Sequence, residues 1–230
     1  MKKLLFLSVF FLAMSMVAFA QDNEQPGKTP LASKDLTSIQ MGVQLAKYGY
    51  ETKSAVLMTE AARILAQVQT QPMKDEPVER GDAVDLTNEK QATIEYDPMT
   101  LLADARKYAG DDPLLLELID RQEKAINTQA AANRGRVNGP LYKVSTVAAH
   151  SYVNYLINFE GGKAAECLVV GDGDTDLDVY VYDEKDNLVG SSNSCNDECY
   201  VNWTPRWTGK FRIKILNRGK VYNKYILVIK

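Results

Sequence analysis
Two hydrophobic periods divide this chain, and they meet near residue 140. In the first half apolar residues recur every three or four positions, the spacing that lines one face of a helix. Leu36, Ile39, Val43, Ala46 and Tyr50 form the first such stripe. Ser33 stands before it as a fair N-cap, and Asp35 in the first turn suits the helix dipole. Gly49 is predicted to break this helix. Ala55, Met58, Ala61, Ala62, Leu65 and Val68 make a second stripe, so close behind the first that the two helices should fold back as a hairpin. Asp97-Pro98 and Asp112-Pro113 each put an acidic cap before a proline at the first helical position. They predict a third helix over Pro98 to Ala109, stopped by Gly110, and a fourth from Pro113 to about Ala131. Leu115, Leu118, Ile119, Gln122 and Ile126 form the inner face of the fourth. Gly42 and Ala61 have the separation of the small residues of a tetratricopeptide repeat, but Leu45 and Ala66 stand where that repeat expects an aromatic and a proline. A small helical bundle of two hairpins is the expectation.

Beyond Asn133–Pro140 the helical period is lost. Strands are predicted at 151–159, 164–170, 177–182, 188–191, 200–203, 210–216 and 222–229, with turns at Gly161-Gly162, Asp186-Asn187, Pro205 and Arg218-Gly219 between them. Seven short strands at this spacing argue for an antiparallel sandwich. Leu177, Val179 and Val181 alternate with Asp178, Tyr180 and Tyr182, a strand with one buried face. Phe211, Ile213 and Ile215 alternate with Arg212, Lys214 and Leu216 in the same way. The fold class is therefore α+β: a helical domain at 33–132, a linker at 133–141 and a sandwich at 142–230. Within the helical part, 71–97 is polar, charged and punctuated by Pro72, Pro77 and Gly81, and is expected to be a flexible acidic loop.

The first twenty residues stand outside this plan. Lys2 and Lys3, an apolar run from Leu4 to Phe19 and the small-x-small sequence Ala18-Phe19-Ala20 are a secretory signal peptide. Residues 21–32 are then a disordered leader, no later segment is apolar enough to span a bilayer, and the mature chain is periplasmic or extracellular. Loss of Lys2 and Lys3 leaves a net charge of about −5. An acidic chain with no basic cluster excludes nucleic acid as a partner, because phosphate contacts need Lys and Arg. Export permits disulfides. Cys195 and Cys199 flank a short turn and can bridge it, with Cys167 against Cys199 as the competing pair. No Cys/His spacing suggests zinc.

Asp172, Asp174, Asp176 and Asp178 crowd into one bend, a costly arrangement unless water or a cation screens it. Hard oxygen ligands suit calcium. The EF-hand spacing is a decoy, since Leu177 stands where the sharp turn needs glycine and a strand follows. Phe159-Glu-Gly-Gly162, the Gly171–Asp183 stretch, Asn187-Leu-Val-Gly190, Trp203-Thr-Pro-Arg-Trp-Thr-Gly209, Phe211 to Asn217 and Asn223-Lys-Tyr225 occur in order. Together they resemble a bacterial pre-peptidase C-terminal (PPC) domain, over roughly residues 142–230. The whole layout resembles uncharacterised exported bacterial proteins with a helical N-terminal half. The resemblance implies a jelly-roll-like β-sandwich of the kind appended to secreted peptidases and related to collagen-binding modules. Some relatives bind calcium, although here no peptidase domain precedes the module. With the ligand chemistry, the resemblance nominates Asp174, Asp176 and Asp178 as calcium ligands, with Asp172 and Asp197 in addition.

Trp203 and Trp207 flank Thr204-Pro205-Arg206. Trp203 reads as a core residue, while Trp207 and Arg206 are candidates for stacking on a sugar ring or a peptide. His150, the sole histidine, has Ser145 and Ser151 nearby in sequence but no nucleophile-elbow motif. The function expected is an exported, non-enzymatic binding protein with a protein or glycan partner. The alternative is an extracytoplasmic hydrolase with its site at the interface of the two halves. Oligomeric state is not legible in the sequence.

Overall fold
A computed structural model describes residues 22–25, 32–74, 77–82, 96–133, 139–193 and 197–230. The expected signal peptide, Cys195, and most of the expected leader, acidic loop and linker lie outside them. The chain forms helices α1 (Lys34–Thr52), α2 (Ala55–Gln67), α3 (Pro98–Ala109) and α4 (Pro113–Ala132). Short strands β1 (Gln71–Pro72) and β2 (Glu79–Arg80) lie between α2 and α3. The C-terminal part is β3 (Leu141–Val147), β4 (Tyr152–Phe159), β5 (Ala165–Gly171), β6 (Leu177–Tyr182), β7 (Leu188–Ser192), β8 (Glu198–Trp203), β9 (Gly209–Asn217) and β10 (Asn223–Ile229).

The strands make two sheets of five, in the orders β1-β3-β10-β5-β8 and β2-β4-β9-β6-β7. Apart from β1, which runs parallel to β3, neighbouring strands are antiparallel. The α+β plan and the sandwich are as expected from the sequence. Alternate residues close the space between the sheets: Val179 and Val181 from β6, Phe211, Ile213 and Ile215 from β9, and Cys167 and Val169 from β5. Trp203 is fully buried there, edge-on to Phe159 at 4.8 Å between ring centroids.

The opposite face of the first sheet is covered as well. Leu168, Val170, Ile226 and Val228 point outward from β5 and β10 into the core formed by Leu36, Ile39, Val43, Met58, Leu101 and Ile119 of the helices. The molecule is thus three layers, helices over sheet over sheet, and the helical half rests directly on the sandwich. Polar contacts fix α1 across β5 and β8. The Ser33 N–H donates to Glu166 at 2.7 Å, Gln40 donates to Glu198, and Lys47 pairs with Asp197 at 2.9 Å.

Some local expectations are corrected. Gly49 does not end α1, which runs on to Thr52 and closes on Lys53 in the left-handed conformation. The glycine serves the helix crossing instead, since a Cβ there would sit 3.0 Å from the Met58 sulfur. Part of the 71–97 stretch is ordered as β1 and β2 at the sheet edges. Glu79 holds β2 in place by accepting from Tyr152 at 2.8 Å and from Asn154 at 2.6 Å.

Candidate functional site
The acidic bend connects β5 to β6, and the fold brings Asp197 at the start of β8 up beside it. Asp172, Asp178 and Asp197 are buried, Asp176 is half-buried and Asp174 is exposed. Their neighbours explain how such crowding is tolerated. Asp178 accepts from the Arg218 Nε at 2.7 Å and from the Tyr180 hydroxyl at 3.1 Å. Asp197 pairs with Lys47 and also accepts from the Gly173 N–H. Asp172 accepts from the Lys224 N–H at 2.9 Å. Asp176 Oδ1 is buried with no hydrogen-bond partner, and so is the Oδ1 of Asn223 on β10. Among the described residues no three carboxylate, histidine or cysteine side chains converge as a metal would require. The cations facing Asp178 and Asp197 belong to the protein itself. Burial, and then the charges of Asp197, Asp172 and Glu198, push the Tyr96 hydroxyl far above its ordinary pKa. It is a neutral donor, bonded to the Gly171 carbonyl at 3.0 Å.

The sulfur chemistry is equally quiet. Cys167 and Cys199 are buried free thiols, and burial raises Cys199 to about 12. Its Sγ donates to the Leu177 carbonyl at 3.0 Å. The Cys195–Cys199 bridge rests on a residue outside those described.

No catalytic set assembles around His150 among the described residues. It is exposed in a turn at φ 49°, held by its N–H to the Gly219 carbonyl at 3.0 Å. Between the helices and the first sheet lies a cavity of about 320 Å³, lined mainly by apolar side chains such as Ile39, Leu65, Val68 and Ile226. Its carboxylate, Asp97, is taken up capping α3 through the N–H groups of Met99 and Thr100.

Trp207 and Arg206 occupy the corner between β8 and β9, and both are half-buried. The Trp207 indole N–H donates to Glu184, and Lys185 lies over the ring, 5.1 Å from its centroid. Residues 22–25 of the leader are seated against this corner, contrary to the expected disorder. Asn23 is fully buried there. Its Oδ1 accepts from the N–H groups of Arg206 at 2.9 Å and Trp207 at 3.0 Å, and its Nδ2 donates to the Trp207 carbonyl at 3.1 Å. Its own N–H donates to Asp183 Oδ2 at 2.8 Å, and the Gln25 N–H donates to the Thr204 carbonyl at 2.9 Å. Asp183 is buried, which alone would raise its pKa. Donors from the Asn187 side chain and N–H, the Lys185 N–H and the Asn23 N–H outweigh burial and hold it below the usual carboxylate range. Sequence reasoning missed this seat because an Asn-Glu-Gln run has no hydrophobic period, and the partners of Asn23 lie 160 to 184 residues away.

Neither a sequence-family model nor a curated protein matches the chain. Among solved structures, PliG, a periplasmic lysozyme inhibitor of g-type lysozyme from Aeromonas hydrophila, is similar over 40% of this chain and 84% of its own, at 11% identity and a TM-score of 0.32. The pre-peptidase C-terminal domain of collagenase from Bacillus anthracis is similar over 41% of this chain and 90% of its own, at 17% identity and a TM-score of 0.30. Both likenesses are distant, and neither carries an argument about ligand or activity.

Proposed function
We propose that this protein is an exported, non-enzymatic binding protein whose recognition surface is the β8–β9 corner around Arg206 and Trp207. One observation carries the reading: the corner already holds residues 22–25, whose Asn23 side-chain amide is taken by main-chain N–H groups of Arg206 and Trp207 and by the Trp207 carbonyl, beside a half-buried indole. Backbone hydrogen bonds supply affinity in peptide recognition, and an aromatic flank with a polar handle adds selectivity. The same geometry serves a protein better than a glycan, because the fork matches an amide. Export is supported by the signal peptide read in the sequence, and no helix among the described residues is long and apolar enough to cross a membrane. In this reading the acidic bend is neutralised by Lys47 and Arg218, and calcium is a competitor for its carboxylates instead of a resident.

The test is recovery of partners from envelope extract by the full chain and by its Trp207→Ala and Arg206→Ala variants, followed by reconstitution with the purified partner. Binding lost in the variants, with unchanged melting, supports the proposal. Equal binding in the variants, or turnover of a peptide or glycoside substrate by the purified protein, overturns it.

A further inference from the structure
The fork around Asn23 is selective in a way that its neighbours make explicit. Two consecutive N–H groups converge on its Oδ1, and a carbonyl faces its Nδ2. An aspartate there would set a second acceptor against the Trp207 carbonyl and beside the Glu184 carboxylate, which Nδ2 approaches at 3.4 Å. A glutamine would carry its amide one methylene too far, and an alanine would leave two N–H groups without their acceptor. The seat also reads what surrounds the asparagine. Asp183 and Thr204 take main-chain N–H groups two residues apart, from Asn23 and Gln25 on either side of a bend, and Arg206 lies 3.8 Å from the preceding Asp22.

What occupies the seat is held without a large apolar anchor. None of residues 22–25 is a large apolar side chain, so attachment rests on hydrogen bonds that each contribute modestly once water is counted. A tethered segment stays docked on such terms because its effective concentration is high.

Resting on the binding reading above, we propose that the Asp183–Trp207 corner is an asparagine-reading site for an acidic-Asn segment of a partner protein, occupied in cis by residues 22–25 as a displaceable strap. The partner then meets a site screened by the chain's own mimic of its ligand. The proposal concerns the seat alone, so it can fail while the wider corner still binds, and it can hold where no envelope partner is recovered.

The probe is a synthetic peptide of residues 21–26 titrated at millimolar concentration, with the Trp207 indole resonance as the readout and the buried Trp203 as internal control. In full-length Asn23→Ala protein the Trp207 signal shifts saturably, at peptide concentrations about tenfold or more below any effect on the wild type. A peptide with Asp in place of Asn shifts it far less. No saturable shift in a cooperatively melting Asn23→Ala protein, or equal shifts from the Asn and Asp peptides, overturns the proposal. Hydrogen exchange on the wild type gives a second reading that no variant can spoil. The Arg206 and Trp207 amides exchange at least about tenfold faster than that of Ile213 in the core, through opening of the strap alone. Protection equal to Ile213 means a permanent part of the fold and overturns displaceability.

Discussion

Asp178 and Asp197 show how part of a crowd of carboxylates is balanced by the chain's own cations. Each is nearly buried, and each faces a cation from a different element, Arg218 after β9 and Lys47 on α1. Removing one partner of a buried pair leaves the other charge uncompensated, so Lys47→Met should cost about 1–3 kcal/mol in a denaturant melt. The same removal opens the bend to an external cation. EDTA should leave the melting temperature of the wild type unchanged, whereas millimolar calcium should raise that of the Lys47→Met/Arg218→Met double variant. A calcium-stabilised wild type would show that the tethered cations do not fill the role. Asp183 gives a residue-scale prediction of opposite character, because its countergroups are neutral donors. Its pKa is lower folded than unfolded, so its contribution is fully present above the unfolded value of about 4. That contribution is lost as pH falls through the folded value. Asp183→Asn should therefore be less stable than wild type at neutral pH, by about 1–3 kcal/mol. The gap should close as pH drops below about 4, where the wild-type carboxyl also protonates. Parallel melts across that range check the sign.

At the scale of elements, the two Asp-Pro starts do different work. Asp97 and Asp112 each accept from two N–H groups of the following turn, and loss of such a cap costs about 1 kcal/mol. α3 buries Leu101, Leu102, Ala105 and Ala109, so Asp97→Ala should lower the global melting temperature. α4 buries only Ile119 and Ile126, so Asp112→Ala should fray the helix, lowering far-UV helicity with less effect on the transition. These starts were legible because a cap is a local device. β6 was legible because its alternation is strict, and Leu177–Tyr182 is the span that the pattern predicts. β3 was not, because Leu141–Val147 has only a weak alternation of burial and owes its strand to pairing with β10 along its whole length. β1 and β2 are two residues each, too short to carry any period. The fork at Asn23 was invisible for the same reason in stronger form. Its selectivity lies in main-chain groups of Arg206 and Trp207, whose placement no side-chain pattern encodes.

The association of the two halves was written in the sequence in a form that an alternation search passes over. β5 reads Ala-Glu-Cys-Leu-Val-Val-Gly and is buried at every position, and β10 ends in Tyr-Ile-Leu-Val-Ile. Continuous apolar strands are the mark of a sheet covered on both faces, whereas β9 alternates Phe211, Ile213 and Ile215 with Arg212 and Lys214 because its outer face meets water. Leu168, Val170, Ile226 and Val228 are the surplus, and the helices are what they bury against. Helices and sandwich should then unfold together. Far-UV circular dichroism, dominated by the helices, and fluorescence, which includes Trp203 between the sheets, should report coincident transitions. Leu168→Ala removes a fully buried side chain at the boundary of the two cores and should cost about 2–5 kcal/mol. If the layers are one cooperative unit, both signals shift by the same amount. A sandwich that folds on its own would keep its fluorescence transition in place while the helical signal fell, and the helices would then be a cargo of the sheet and no part of its stability.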